Sequence, residues 1–282
     1  MALRNLMLHL DDTKACGKRI EAALALAVEH NAHLAAVYCI SEYQLPGWAD
    51  MPSHLMKEQQ QREQEHADKK LEEFAERAKR WNAKYETRVA RTRSGMVHEV
   101  ISLHARYSDM AILGQVDPDD PPVGGRDLVE HVVLSCGRPV LVIPYIGAPQ
   151  VKGQPSFGHS VMVGWDAGRE ATRAVNDALP ILERAKQVDV VAVNPKKIGK
   201  HGEDPGADIG LHLSRHDVKV NVQHLEARDI DAGDTILSRI SDKGNDLLVI
   251  GAYGHSRLRD LVLGGVTESV LEHMTVPVLM SH

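Results

Sequence analysis

The chain reads as an α/β protein of two tandem domains, each a parallel sheet with helices on both faces. Three observations lead there. Short apolar runs alternate with helical patterns, the order of those runs repeats once, and a Gly- and Pro-rich segment, YIGAPQVKGQPSFG (145–158), separates the copies. Strands that alternate with helices are joined by crossovers, which makes the strands parallel and covers both sheet faces. A length of 282 residues suits two domains of ordinary size, expected at 1–146 and 158–282.

The first copy opens on NLMLHLDDT, an apolar strand ending at Asp11. A helix follows, with Ile20, Leu24, Ala27 and Val28 expected on one face. HLAAVYCI is the second strand. The segment 54–81 is dominated by strong helix formers, and Leu71, Phe74, Ala75 and Ala78 form a narrow apolar stripe. It reads as a long solvated helix capping the sheet, with a partner-binding surface as the alternative. SDMAILG (108–114) and RPVLVIP (138–144) are the later strands.

The second copy follows the same order. SVMVGWDAG (160–168) carries Asp166 where the first copy has Asp11, and Val175, Ala178, Leu179 and Leu182 share the next helix face. VDVVAVN leads into NPKKIGKHGEDPGADIG, a glycine-rich stretch expected to be a mobile loop beside the ligand cleft. Asp234 and Thr235 before ILSRI mark a helix start, with Asp as cap or first-turn charge. NDLLVIG (245–251) and VPVLMSH (276–282) match the closing strands of the first copy. Asp11 and Asp166 are 155 residues apart, Gly114 and Gly251 are 137 apart, and Pro139 and Pro277 are 138 apart. The first copy therefore holds 18 extra residues between its first and fourth strands.

Composition narrows the function classes. A hydrophobic share of 43% with only 4% aromatic residues gives an aliphatic core. The net charge of −6 comes without a Lys/Arg block, which argues against nucleic acid and acidic membrane surfaces. Cys16, Cys39 and Cys136 are far apart and in no ligand spacing, as expected of idle thiols in a reducing compartment. Without a signal-peptide pattern or a run of about eighteen apolar residues, a soluble cytoplasmic protein is expected.

The stretch GAYGHSRLRDLVLGGVT (251–267) carries the chemistry. Gly251 and Gly254 directly follow an apolar strand, and Gly264 and Gly265 precede a helical pattern. Glycines let backbone N–H groups close around an anion, and a helix start adds unpaired N–H groups with the positive end of its dipole. That combination suits phosphate, although neither the Rossmann fingerprint nor the Walker motif matches. His255, Arg257 and Arg259 are phosphate-contact candidates or plain loop residues, and Tyr253 either covers a ligand or packs on the sheet edge. His212 and His216 stand at i, i+4, a spacing able to seat a metal, but surface histidines are the simpler reading. No nucleophile motif is present, and no catalytic residue is assigned.

The strand-Asp near each repeat start, the G-x2-G-x9-G loop and the closing apolar strand after Pro resemble the universal stress protein family in its tandem form. The resemblance implies five-stranded parallel sheets of the adenine-nucleotide alpha-hydrolase-like kind, with ATP bound at the carboxyl ends of the strands. It implies that Asp166 and Val193 meet the nucleoside, and that Gly251, Gly254, Gly264, Gly265, Val266 and Thr267 line the phosphates. It also implies that RPVLVIP and VPVLMSH pair in an internal pseudo-dimer. The family commonly has Ser or Thr where Gly265 stands, a lost hydroxyl that costs about tenfold in affinity or more.

In the first copy, Asp11 and Val37 match the nucleoside positions, but Asp117 replaces Gly254. Asp117, Asp119 and Asp120 bring negative charge, and two unit charges 4 Å apart repel by about 4 kcal/mol at an effective dielectric of about 20. Pro118, Pro121 and Pro122 withdraw backbone donors. The expected function is an ATP-binding stress-response sensor or regulator, with magnesium as a companion ion and no nucleic-acid partner. A homodimer and a protein partner are further expectations. A weak ATPase and a module binding protein, lipid or metal are the alternatives.

Overall fold

The computed structural model describes residues 2–42, 53–93, 95–195, 205–227, 231–254 and 265–282. Its contacts divide into two compact units, Leu3–Arg138 and Pro139–His282 with Met1–Ala2. No helix among the described residues is long and apolar enough to cross a membrane.

The N-terminal unit runs β1 (Asn5–Leu10), α1 (Cys16–His30), β2 (His33–Glu42), α2 (Ser53–Arg80), β3 (Lys84–Arg93), α3 (Val97–Ala105), β4 (Met110–Gly114) and α4 (Leu128–Ser135). Its strands lie in the order β4-β1-β2-β3, all parallel, with Leu6 opposite both Met110 and Leu34. Leu6, Leu8, Leu34, Ala36, Met110 and Ile112 are fully sealed, as expected of strands covered on both faces.

Helix α1 ends on Asn31 in the left-handed conformation, where its N–H returns to the carbonyls of Ala27 and Val28. Ile20, Leu24 and Ala27 are buried as expected, but Val28 is 43% exposed. It lies next to Ala27 at the rim of the apolar face, one position beyond what the sheet covers. In α2, Phe74 and Ala78 are buried with Ala67 two turns earlier, whereas 54–62 lie in solvent. The helix packs on β2 and β3, with Arg91 of β3 donating to Gln64 near the middle of the helix.

The C-terminal unit contains β5 (Val140–Ile143), β6 (Gln150–Val151), β7 (Gln154–Pro155), β8 (Ser160–Gly164), α5 (Arg169–Leu182), β9 (Gln187–Val193), α6 (Ala207–Ser214), β10 (Val220–Leu225), α7 (Ala232–Lys243), β11 (Leu247–Gly251), α8 (Gly265–His273) and β12 (Val278–Ser281). The strand order is β10-β9-β8-β11-β12-β5. The first five strands are parallel, and β5 is antiparallel to β12, with Val142 opposite Val278 and Leu141 opposite Leu279. The two closing strands of the repeat thus pair as the sequence resemblance implies. Strands β6 and β7 form a small hairpin turned by Lys152 and Gly153, both at positive φ.

The repeat extends to single hydrogen bonds. Asp109 accepts the N–H groups of Arg4 and Asn5 ahead of β1. Asp246, its counterpart, accepts those of Gly158, His159 and Ser160 ahead of β8. Burial pushes the Asp246 carboxyl up, against the pull of these three donors.

Within the C-terminal unit the chain leaves β8 through β9 to β10, then crosses to β11 on the other side of β8. The crevice outside the carboxyl ends of β8 and β11 is therefore the point where strand order reverses, the usual ligand position in an open α/β sheet.

Candidate functional site

Asp166, Val193 and Gly251 stand at the carboxyl ends of three adjacent strands. Val163 is opposite Val249, Gly164 is opposite Val191, and the Trp165 N–H continues the ladder to the Val191 carbonyl. Asp166 leads into α5: Ala167 takes a positive φ, and an Asp166 carboxylate oxygen accepts the Gly168 N–H at 2.8 Å. A methyl on Gly168 would lie 2.7 Å from that oxygen, so a larger residue here would displace the Asp166 carboxylate. Val193 is half-buried beside Asn194, whose side chain bonds both backbone groups of Ala227 and so ties the ends of β9 and β10 together.

Gly251 has a different requirement. A methyl there would sit 2.4 Å from the Ala171 nitrogen and 2.9 Å from Glu170 Cβ. The first turn of α5 crosses β11 at this point. Tyr253 adopts a positive φ, and its N–H points at the Thr267 hydroxyl oxygen, 3.4 Å away. Thr267 is buried, Val266 half-buried and Gly265 exposed in the first turn of α8. The glycine turn and the start of α8 are thereby linked. Among the described residues, a methyl on Gly265 meets only Asp231 Oδ1, at an unstrained 3.8 Å. Asp231 caps α7 by accepting the Gly233 N–H, so Asp234 is the first-turn charge and not the cap. Gly264, His255, Arg257 and Arg259 lie outside the described residues, as does most of the glycine-rich stretch after β9.

Glu170 is the feature that sequence reasoning missed. Its carboxylate is buried, and a methyl on Gly254 would be 2.7 Å from Oε2. Arg169, itself exposed, donates to Oε1 from Nη2 at 2.8 Å and from Nε at 3.1 Å. Burial pushes the Glu170 carboxyl up, but its own backbone N–H, Arg169 and the charge of His282 outweigh it and leave it below the ordinary range. Glu170 falls on the same helix face as Ala171, Ala174, Val175 and Ala178, all buried. A charge within an apolar stripe was the available signal.

The equivalent crevice of the N-terminal unit is filled from within. Asp11 and Arg19 are both buried, with Arg19 Nη2 2.8 Å from Asp11 Oδ2. Arg19 Nε donates to the His9 carbonyl, and Thr13 donates its N–H and hydroxyl to Asp11 Oδ1. A methyl on Gly114 would fall 2.0 Å from Arg19 Nη1. Asp120 accepts the Lys14 N–H, and Asp117 accepts that of Asp119, so the acidic segment folds onto the entry to α1. From the long helix, His66 and Lys70 reach Asp12, which also accepts the Tyr38 hydroxyl.

His212 and His216 lie with ring centroids 4.9 Å apart and planes tilted by 59°, and His216 faces Glu183 at 3.9 Å. Among the described residues no group of three or more His, Cys, Asp or Glu is arranged to hold a metal. Cys16, Cys39 and Cys136 are buried free thiols, and burial raises the Cys39 thiol to about 11.

A family model described as the universal stress protein family matches residues 2–114 and 159–282. Universal stress protein Slr1230 of Synechocystis sp. (strain ATCC 27184 / PCC 6803 / Kazusa) is 37% identical over 156 residues, 54% of this chain and 49% of that protein. The match thus spans about half the length of that curated relative. Among solved structures, a universal stress protein from Archaeoglobus fulgidus DSM 4304 superposes with a TM-score of 0.72 at 17% identity, covering 98% of this chain and 95% of that one. A functionally unknown protein, PA1789 from Pseudomonas aeruginosa PAO1, gives 0.60 at 15% identity, with 99% and 92% covered. At these identities the structural likeness is one of fold.

Proposed function

The chain belongs to the universal stress protein family, and on that premise we propose that its C-terminal unit binds ATP while its N-terminal unit does not. In this reading the nucleoside meets Asp166 and the backbone at Val193. The phosphates run along the Gly251–Gly254 turn towards Gly264, Gly265, Val266 and Thr267, where the free N–H groups of α8 face them. Magnesium bound to the phosphates offsets part of their charge. The protein then acts as a nucleotide-dependent sensor or regulator of a stress response, without catalysing a reaction.

The observation that carries this reading is the contrast between the two strand-reversal crevices. In the C-terminal unit a glycine turn and a helix start meet through Tyr253 and Thr267. In the N-terminal unit the corresponding space holds the Arg19 guanidinium.

Thermal unfolding of the full chain with increasing MgATP tests it. A ligand that binds only the folded state adds about 2.7 kcal/mol at a hundred times its Kd, so Tm climbs with concentration. The climb should vanish in Gly254→Asp, which introduces the acid found at Asp117. A Tm indifferent to ATP in the native sequence overturns the reading.

A further inference from the structure

We propose that Glu170 sets the charge selectivity of this site, penalising a bare phosphate chain and admitting a nucleotide whose phosphates carry a divalent cation. The inference rests on the nucleotide reading above and concerns the form in which the nucleotide enters.

The geometry has three parts. The Glu170 main chain is clamped, because the first turn of α5 crosses β11 at Gly251 with no room for even a methyl. The carboxylate is therefore held near the sheet end and can leave only by side-chain rotation. Its two oxygens also differ: Oε1 takes both bonds from Arg169, whereas Oε2 is the atom closest to the Gly254 position. A phosphate lying along the glycine turn meets Oε2 of this carboxylate, the oxygen that takes neither Arg169 bond.

The charges facing Glu170 also differ in strength. The Arg169 side chain is 83% exposed against 8% for Glu170, so water screens the cation more than the anion. His282, which bonds the Ala252 carbonyl through Nδ1, is another group among the described residues whose charge reaches Glu170. Neither replaces a cation on the phosphates themselves. The repeat-equivalent residue in the N-terminal unit is Ala15, so this carboxylate is particular to the C-terminal site.

The test is equilibrium binding of the full chain to adenosine, to ATP in EDTA and to MgATP, with Glu170→Gln and Arg169→Ala beside the native sequence. Glu170→Gln should tighten ATP in EDTA by about tenfold or more, through loss of a close like charge. It should leave adenosine within about twofold and gain much less for MgATP. Arg169→Ala, by stripping compensation from the carboxylate, should weaken ATP in EDTA and spare adenosine. An unchanged or weaker affinity of Glu170→Gln for ATP in EDTA overturns the proposal, as does an equal gain for adenosine. If neither the native chain nor the variants bind adenosine or ATP in any form, the nucleotide reading fails and takes this proposal with it.

Discussion

The Arg19 guanidinium lies 2.8 Å from the Asp11 carboxylate, and both side chains are sealed from water at the carboxyl end of the N-terminal sheet. The repeat position of Arg19 is Ala174, itself fully buried. The side chain that fills the N-terminal crevice is thus replaced by a single methyl at the equivalent helix position of the C-terminal unit. A buried pair adds little net stability, but breaking one leaves an uncompensated charge. Arg19→Ala should therefore destabilise the chain by about 3–5 kcal/mol, read as a lower urea midpoint with an unchanged slope. Arg19 and Thr13 hold Asp11 well below the usual carboxylate range, so its contribution is complete above about pH 4 and fades below it.

His9 makes the same crevice sensitive to mild acid. Burial lowers its pKa to about 4, against the pull of Asp11 and with a small further push from Arg19. Below about pH 6.5 the unfolded chain takes up a proton that the folded chain refuses, so stability falls with pH in this window. The loss attributable to His9 between pH 7 and pH 5 is about 2 kcal/mol. Urea unfolding at the two pH values should show that difference shrinking by this amount in His9→Asn.

Among the described residues, a Cβ on Gly265 meets only Asp231 Oδ1, at 3.8 Å, an ordinary contact. Gly265→Ser should bind ATP about tenfold more tightly by adding one hydroxyl donor to the first turn of α8. Titration of native and variant chains under identical magnesium checks this, and equal affinities remove Gly265 from the phosphate path.

Gly251 should tolerate no side chain. Backbone lies 2.4 Å from any added methyl, so α5 must shift to accept one. Gly251→Ala should lower stability by about 1–3 kcal/mol, as overpacking does, and weaken ATP binding because Asp166, at the entry to α5, is displaced with the helix. A variant with native Tm and native affinity contradicts this account of the glycine.

Much of the fold was legible because buried parallel strands read as apolar runs, and because Asp11 and Asp166 mark the same turn twice. The pairing of β5 with β12 followed from the resemblance. Residues whose role depends on a neighbouring helix were not legible. Gly251 was read as a ligand-facing glycine, yet its nearest neighbour is the backbone of α5. Arg19 and Glu170 lie within apolar stripes, where spacing registers a polar residue as noise unless its partner across the fold is known. Asp231 was passed over in favour of Asp234 because both precede the same apolar run, and only the backbone turn distinguishes cap from first-turn charge.

The central claim is one nucleotide site per chain, in the C-terminal unit. Calorimetric titration of the full chain with MgATP, alongside Gly254→Asp and Asp117→Gly, tests it directly. The native chain should bind one ATP, Gly254→Asp none, and Asp117→Gly still one because Arg19 continues to fill the first crevice. Two ATP per chain, or binding that survives Gly254→Asp, would contradict it.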